Sequence, residues 1–389
     1  MKSFEFYNPT KIVFGEGKTS EIGAFTAPMA KKVMLIYGKQ SIRKNGIYDK
    51  VVKSLEEAGI SFVECSGVKS NPVLSFVKKG IQLFRNENLD GIVAVGGGSV
   101  IDTAKAIAAG VYYEGDVWDF FLNKARVEKA PPITVVLTLA ATGSEMNSGG
   151  VITNEATFQK YNLHGELLFP KVSILDPVNT YSVPLNYSMY GAVDAIIHLL
   201  ETYFNGRAEY TPIQDSLVEG LVKNIMEAAA GIIRKSDDYN SRAVMMWAAS
   251  LALNGLTTSG AGAAGFPMHM IEHSLSAIYD IPHGAGLSIV APAWMRYAAE
   301  KDYSKFAQFA DKIFGIKNAD EALAASQGIK ALEDWFRSIY VPVRLQDVNI
   351  PLDDIPKIAE NARGLARRWG MKGEYKREII ENILKIAAS

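Results

Sequence analysis

The stretch Gly91-Ile92-Val93-Ala94-Val95-Gly96-Gly97-Gly98-Ser99 decides how the chain reads. Its unbroken apolar run suits a strand buried on both faces, as in a parallel sheet. The glycines and the helical pattern that follows through Ala109 complete a strand–turn–helix unit. A turn of this kind lets backbone approach phosphate oxygens and aims helix N–H groups outward. The run departs from a full dinucleotide fingerprint, because Ile101 stands where the last glycine belongs, and a tight turn alone would explain the glycines. Asp102 and Lys105 lie three apart on the first turns of the helix, where Asp102 also complements the helix dipole.

Working outward, residues 32–37 and 61–65 read as strands, with amphipathic helices over 47–58 and 74–86. Two more strands follow at 133–139 and 172–175. Strands alternating with helices predict a doubly wound, mostly parallel, Rossmann-like sheet. Residues 3–15 alternate, turn at Asn8-Pro9 and alternate again, which predicts a β-hairpin pairing 4–7 with 11–14. The strand at 133–139 runs into a second small-residue turn, where Thr138, Leu139, Thr142 and Ser144 face the same sheet edge; two such turns favour a dinucleotide over a lone anion. After Val183 the segments read as helices, so the expected division is an α/β dinucleotide-binding domain over 1–183 and an all-helical domain over 184–389. The Gly/Ala-rich stretch 260–265 reads as a close-packed turn before a helix.

Composition narrows the class of function. The 389 residues are 48% apolar and 21% charged with a net charge of −1, which suits a globular chain and gives no argument for nucleic acid or an anionic membrane. Cys65 is the one cysteine, so no intrachain disulfide or multi-cysteine metal site is possible. No apolar run reaches the length of a membrane span, and Met1 leads straight into the alternating pattern without a signal peptide. A cytoplasmic protein is expected.

In the helical half, Asp194 and His198 stand four apart in the apolar segment 190–203. On a helix they project together, about 40° and roughly 6 Å apart. A buried Asp needs a metal, a cation or a full set of hydrogen bonds, although an Asp–His hydrogen bond closing a helix surface would also account for the pair. Three of the five histidines then fall within fifteen residues, at His269, His273 and His283. Spacing nominates His269 and His273 as a metal pair, with His283 a loop residue after Pro282. One carboxylate and up to four imidazoles suit Fe²⁺ or Zn²⁺ better than Mg²⁺ or Ca²⁺. His164 reads as a surface residue.

Over essentially its whole length, the chain resembles the iron-containing (group III) alcohol dehydrogenases, closest to their butanol dehydrogenase and aldehyde reductase branch. The motifs are residues 6–15 (Phe-Tyr-Asn-Pro-Thr-Lys-Ile-Val-Phe-Gly), Gly96-Gly97-Gly98-Ser99 with Asp102 and Lys105, Thr142-Gly143-Ser144-Glu145, Asp176-Pro177, Asp194 with His198, His269 with His273, and Pro282-His283-Gly284. Ala140-Ala141 departs from the Pro-Thr or Pro-Ala common there. The resemblance implies the two-domain, dehydroquinate synthase-like fold with the active site in the cleft between domains, and a homodimer, which the hairpin edge also suggests. It implies Asp194, His198, His269 and His283 as ligands of one divalent ion, with His273 beside the ion rather than bound to it. The activity implied is reversible hydride transfer between a nicotinamide and an aldehyde or primary alcohol such as butanol. His273 and Asp102 are then candidate proton relays, and Lys160 matches a lysine near the nicotinamide ribose, although alone it reads as a surface charge. A dehydroquinate synthase-like lyase, an NAD-dependent glycerol or 1,3-propanediol-type dehydrogenase, and a non-catalytic nucleotide-binding protein are the alternatives. The turn Gly38-Lys39-Gln40-Ser41-Ile42-Arg43-Lys44 carries no acid to accept the adenosine ribose hydroxyls. It offers instead Lys39, Ser41, Arg43 and Lys44, and a lysine ammonium and a serine hydroxyl can bind a 2′-phosphate, which predicts NADP(H) in preference to NAD(H).

Overall fold

The structure, a computed structural model, describes residues 1–262 and 265–389; the turn read over 260–265 includes the two residues outside that description. The chain divides into two compact units, Tyr7–Pro184 with Lys235–Asn254, and Met1–Phe6 with Leu185–Arg234 and Gly255–Ser389. This differs from a single cut after Val183 in two stretches, the first six residues and Lys235–Asn254.

The first unit is built on a sheet. Its elements are β1 (Lys11–Phe14), α1 (Ile22–Thr26), β2 (Lys32–Tyr37), α2 (Ser41–Lys44), α3 (Ile47–Glu57), β3 (Ser61–Ser66) and α4 (Leu74–Asn86). There follow β4 (Gly91–Gly96), α5 (Gly98–Gly110), α6 (Trp118–Phe121), β5 (Ile133–Leu137), β6 (Gly149–Asn154), β7 (Gln159–His164) and β8 (Val172–Leu175). Six strands form one sheet in the order β1-β8-β5-β4-β2-β3, every pairing parallel. In β4 the side chains of Ile92, Val93 and Val95 are buried, each contributing about 1.5–3 kcal/mol of transfer free energy. Strand order reverses between β2 and β4, the position where doubly wound sheets take ligands at their carboxyl ends.

The expected N-terminal hairpin does not form. Residues 1–10 contain no strand, and β1 pairs in parallel with β8, Lys11 opposite Val172. Asn8 closes its own turn instead: its Oδ1 accepts from the Thr10 backbone N–H at 3.2 Å, and its Nδ2 donates to the Met146 and Asn254 carbonyls at 2.8 and 3.2 Å. Pro9 has no N–H to give to a ladder. β1 is still an edge strand, but Phe4 and Tyr7 are exposed residues outside any sheet. The hairpin that does exist, β6 with β7, runs antiparallel from Gly149 opposite His164 to Asn154 opposite Gln159; the sequence pattern does not announce it. His164 is exposed there, as expected.

The remaining helices are α7 (Leu185–Asn205), α8 (Pro212–Arg234), α9 (Tyr239–Ala252), α10 (Pro267–Tyr279), α11 (His283–Ala299), α12 (Ser304–Phe314), α13 (Glu321–Ser338), α14 (Ile355–Arg368) and α15 (Arg377–Ile386). α9 belongs with the sheet, where the Ser250 hydroxyl donates to the buried Glu145 carboxylate. In the helical unit α7 is buried almost throughout from Ser188 to Tyr203, mostly through apolar side chains, as a central core helix must be. α10 and α11 pack beside it. No helix among the described residues is long and apolar enough to cross a membrane.

An ionic cluster in the helical unit joins α11 to α13. The buried Glu333 on α13 accepts from Arg296 on α11, and from Arg337 and Arg344 at 2.8 Å each. Burial alone would raise this carboxyl, but the three guanidiniums more than offset it and hold it at about 2 against an ordinary 4.5. A depressed carboxyl pKa contributes stability that is complete above the unfolded value and is lost as pH falls towards the folded one. Glu333→Gln should therefore lower the urea midpoint at pH 7, and its deficit against the parent should shrink as pH drops from about 4.5 towards 2. A deficit constant across that window would contradict the assignment.

Candidate metal and dinucleotide sites

Asp194 and His198 leave α7 on one face, and α10 and α11 bring His269 and His283 against them. Asp194 Oδ1 lies 3.5 Å from His198 Nδ1, 3.7 Å from His269 Nε2 and 3.5 Å from His283 Nε2. Four donors at tetrahedral corners about 2.1 Å from an ion are spaced about 3.4 Å apart. Asp194 Oδ1, His198 Nδ1 and His269 Nε2 are buried with no hydrogen-bond partner, which is costly unless something else satisfies them. The residues therefore fit a divalent ion. Asp194, His198 and His269 are almost wholly buried, whereas the His283 side chain is 23% exposed, so the set has one open side.

Without an ion, burial and the neighbouring charges pull the three groups in different directions. Burial would raise the Asp194 carboxyl, but the surrounding imidazoles hold it well below the usual carboxylate range. Burial pushes His198 down to about 3. It works the same way on His269, but Asp194 and Glu201 outweigh it and lift that imidazole to about 9.

His273, nominated by spacing, falls into a second cluster with Glu272 and His283, its ring edge-on to Trp369 at 5.6 Å between centroids. His283 is not a loop residue: it is the first residue of α11, because Pro282 ends the extended approach and supplies the residue before the helix. Gly284 follows from the packing, since a Cβ there would lie 2.2 Å from the Tyr190 carbonyl oxygen of α7. Two further carboxylates escape the sequence reading. Glu201, three residues beyond His198, accepts from the His269 backbone N–H and Nδ1 at 2.8 and 2.9 Å. Glu272 pairs with His283 Nδ1 and accepts from the Ser276 hydroxyl. Both are fully buried, and each pairs with a histidine on another helix, so no local spacing signals them.

In the sheet unit the three candidate cofactor turns stand side by side. Tyr37 is opposite Val95, Gly96 is opposite Leu137, and Thr138 donates its N–H to the Gly96 carbonyl at 3.0 Å. Gly38, Lys39 and Ser41 thus follow β2 next to Gly96, Gly97, Gly98 and Ser99 after β4, with Thr138, Leu139, Thr142 and Ser144 after β5. None of Gly96, Gly97 and Gly98 needs a positive φ. Gly98 is required by close approach, because a Cβ would lie 2.4 Å from Thr142 Oγ1. Asp102 accepts from Ser144 Oγ at 2.6 Å and the Val151 N–H at 3.0 Å. Lys105 is completely buried and gives its ammonium to the Ser144, Asn147 and Gly149 carbonyls and to Ser144 Oγ and Asn147 Oδ1, all within 3.0 Å. Burial nevertheless brings it down to about 8. Lys160 is buried on β7 and donates to Asn71 at 3.2 Å, so the surface reading of that residue is wrong. Its charge bears on Asp102.

A two-unit chain of this kind, with a parallel sheet and a buried Asp–His₃ set on helices, is the layout of a metal-dependent dehydrogenase. Residues 9–177 match the family described as iron-containing alcohol dehydrogenase, and residues 188–388 match its C-terminal domain family. The chain is 42% identical over 389 residues, 99% of each chain, to the probable NADH-dependent butanol dehydrogenase 1 of Bacillus subtilis. It is 32% identical over 361 residues, 92% of each, to the NADPH-dependent aldehyde reductase YqhD of Escherichia coli. Among solved structures, the NADH-dependent butanol dehydrogenase A of Thermotoga maritima superposes with a TM-score of 0.96 at 47% identity, over 100% of this chain and 99% of that one. The chain belongs to the iron-containing alcohol dehydrogenase family. That membership disfavours the lyase and the non-catalytic alternatives.

The contact at Gly284 is directly testable. Gly284→Ala places a methyl against the α7 backbone, and overpacking of this kind costs about 1–3 kcal/mol. The unfolding midpoint should fall accordingly; an unchanged midpoint would mean that α7 and α11 are not packed this closely.

Proposed function

We propose that the protein catalyses reversible hydride transfer between NADP(H) and a small aldehyde or primary alcohol such as butanol. Asp194, His198, His269 and His283 hold one divalent ion, Fe²⁺ or Zn²⁺. The observation that carries the reading is Asp194 Oδ1 ringed at 3.5 to 3.7 Å by three imidazole nitrogens in a chain of this family. An ion held there acts as a Lewis acid on the carbonyl or alkoxide oxygen. The chain's own groups orient the reactants and manage the proton. His273 sits beside the ligands on α10 and is the candidate to pass the proton to the substrate oxygen. Asp102 and Lys160 serve the nicotinamide ribose end, Asp102 held still by Ser144 and Val151. The glycine turn and the start of α5 receive the pyrophosphate.

His283→Ala and Asp194→Asn should lose bound metal and turnover together, since each removes a donor. His273→Ala should keep the metal and lose turnover or substrate affinity. Metal analysis of the purified variants decides this, and a His273 variant that arrives metal-free would overturn the role given to that residue.

The preference for NADP(H) rests on the turn after β2. Its relatives include enzymes named for either cofactor. From Gly38 to Lys44 there is no acid to repel a 2′-phosphate, and Lys39, Ser41 and Lys44 are exposed. Arg43 is already engaged: it donates to Tyr37 Oη at 2.8 Å and Glu64 at 2.5 Å and stacks 3.7 Å over Tyr48. Lys39 and Ser41 therefore carry the discrimination. The ratio of kcat/KM for NADPH to that for NADH should exceed one and should fall in Lys39→Asp; equal values, or an NADH advantage, would refute the preference.

A further inference from the structure

We infer that Glu201 and Glu272 are positioning residues that fix the aim of two of the three imidazoles, and thereby how tightly the ion is held. The inference rests on the metal reading above but concerns residues that do not touch the ion. Both carboxylates are completely buried, in an environment that tolerates such groups only when they are paired. Each pairs with the Nδ1 of a histidine whose Nε2 faces Asp194. Glu201 takes the His269 Nδ1–H at 2.9 Å and the backbone N–H of the same residue at 2.8 Å, so ring and main chain are clamped by one oxygen. Glu272 offers one oxygen to His283 Nδ1 while the other accepts from Ser276 Oγ.

A neutral imidazole carries its proton on one nitrogen only. A carboxylate at Nδ1 draws the proton there, leaves the Nε2 lone pair free and makes that nitrogen a better donor. His269 and His283 thus face Asp194 through Nε2, at 3.7 and 3.5 Å. His198 differs, presenting Nδ1 to Asp194. The fold also makes room for Glu272: a Cβ at Gly286 on α11 would lie 2.7 Å from its Cγ and 2.8 Å from its Oε1. Glycine at 286 is thus a condition for Glu272 reaching His283. Residue 286 offers an independent handle on the same contact.

The test uses the full chain stripped of metal and titrated with Co²⁺, in competition with a chelator, for the parent, Glu201→Gln, Glu272→Gln and Gly286→Ala. Each substitution should weaken Co²⁺ binding by about 10- to 100-fold and alter the visible ligand-field spectrum at saturation, while the far-UV circular dichroism stays that of the parent. Glu272→Asp, which keeps the charge on a shorter arm, should recover part of the affinity. Parent affinity and spectrum in both folded Gln variants would overturn the inference and leave the metal reading standing. A parent chain that binds no Co²⁺ would overturn both. If Glu201→Gln fails to fold, Glu272→Gln and Gly286→Ala decide the matter, because they act on the other histidine.

Discussion

The constraint on which the site in the helical unit depends is the buried carboxylate of Asp194. Asp194 sits on the apolar central helix, and the groups turned towards its Oδ1 are imidazole nitrogens. Desolvating a carboxylate is among the larger penalties that a core can carry. Here three imidazole nitrogens surround the carboxylate oxygen at 3.5 to 3.7 Å, an arrangement that suits a cation. That requirement dictates two neighbouring features. α11 must begin at His283, and the α7 and α11 backbones must come together closely enough to exclude any side chain at residue 284.

The sheet unit solves a different problem with similar means. A dinucleotide needs backbone, not side chains, at the carboxyl ends of several strands, so small residues accumulate there. The buried ammonium of Lys105 then does what side chains usually do for a loop. By accepting on five atoms drawn from Ser144, Asn147 and Gly149, the segment after β5 is tied to the helix that follows β4. Asp102 repeats the tie through Ser144 Oγ and Val151.

Much of this is legible in the sequence where the signal is periodic. The buried strands and the long helices announce themselves, because an unbroken apolar run bounded by glycines and a sustained helical period each fit one kind of element. The N-terminal hairpin is the counterexample. Alternation in residues 3–15 looks the same whether the partner strand is adjacent in sequence or far away, and the side-chain bonds of Asn8 settle which. β6 and β7 escape notice because Gly149-Gly150 and the polar Lys160 and Asn162 dilute the strand pattern. The histidine at 283 shows the limit of spacing arguments. Its distance from Asp194 depends on how α7 and α11 pack, and no local pattern encodes that. Glu201 and Glu272 are hidden for the same reason: charged residues on a helix read as solvent-facing until the tertiary structure buries them.

The placement of α9 has a bearing on biosynthesis. The sheet unit is discontinuous: it closes only when Lys235–Asn254 joins Tyr7–Pro184, and Ser250 then supplies the hydroxyl that the buried Glu145 carboxylate requires. Made from its N-terminus at about 5–20 residues per second, the chain finishes the last strand of the sheet on the order of 4 to 16 s before the segment ending at Asn254 is synthesised. During that interval the nascent sheet carries an ionisable group that its own residues leave partly unsatisfied. The sheet unit is therefore complete only after α7 and α8 have been made.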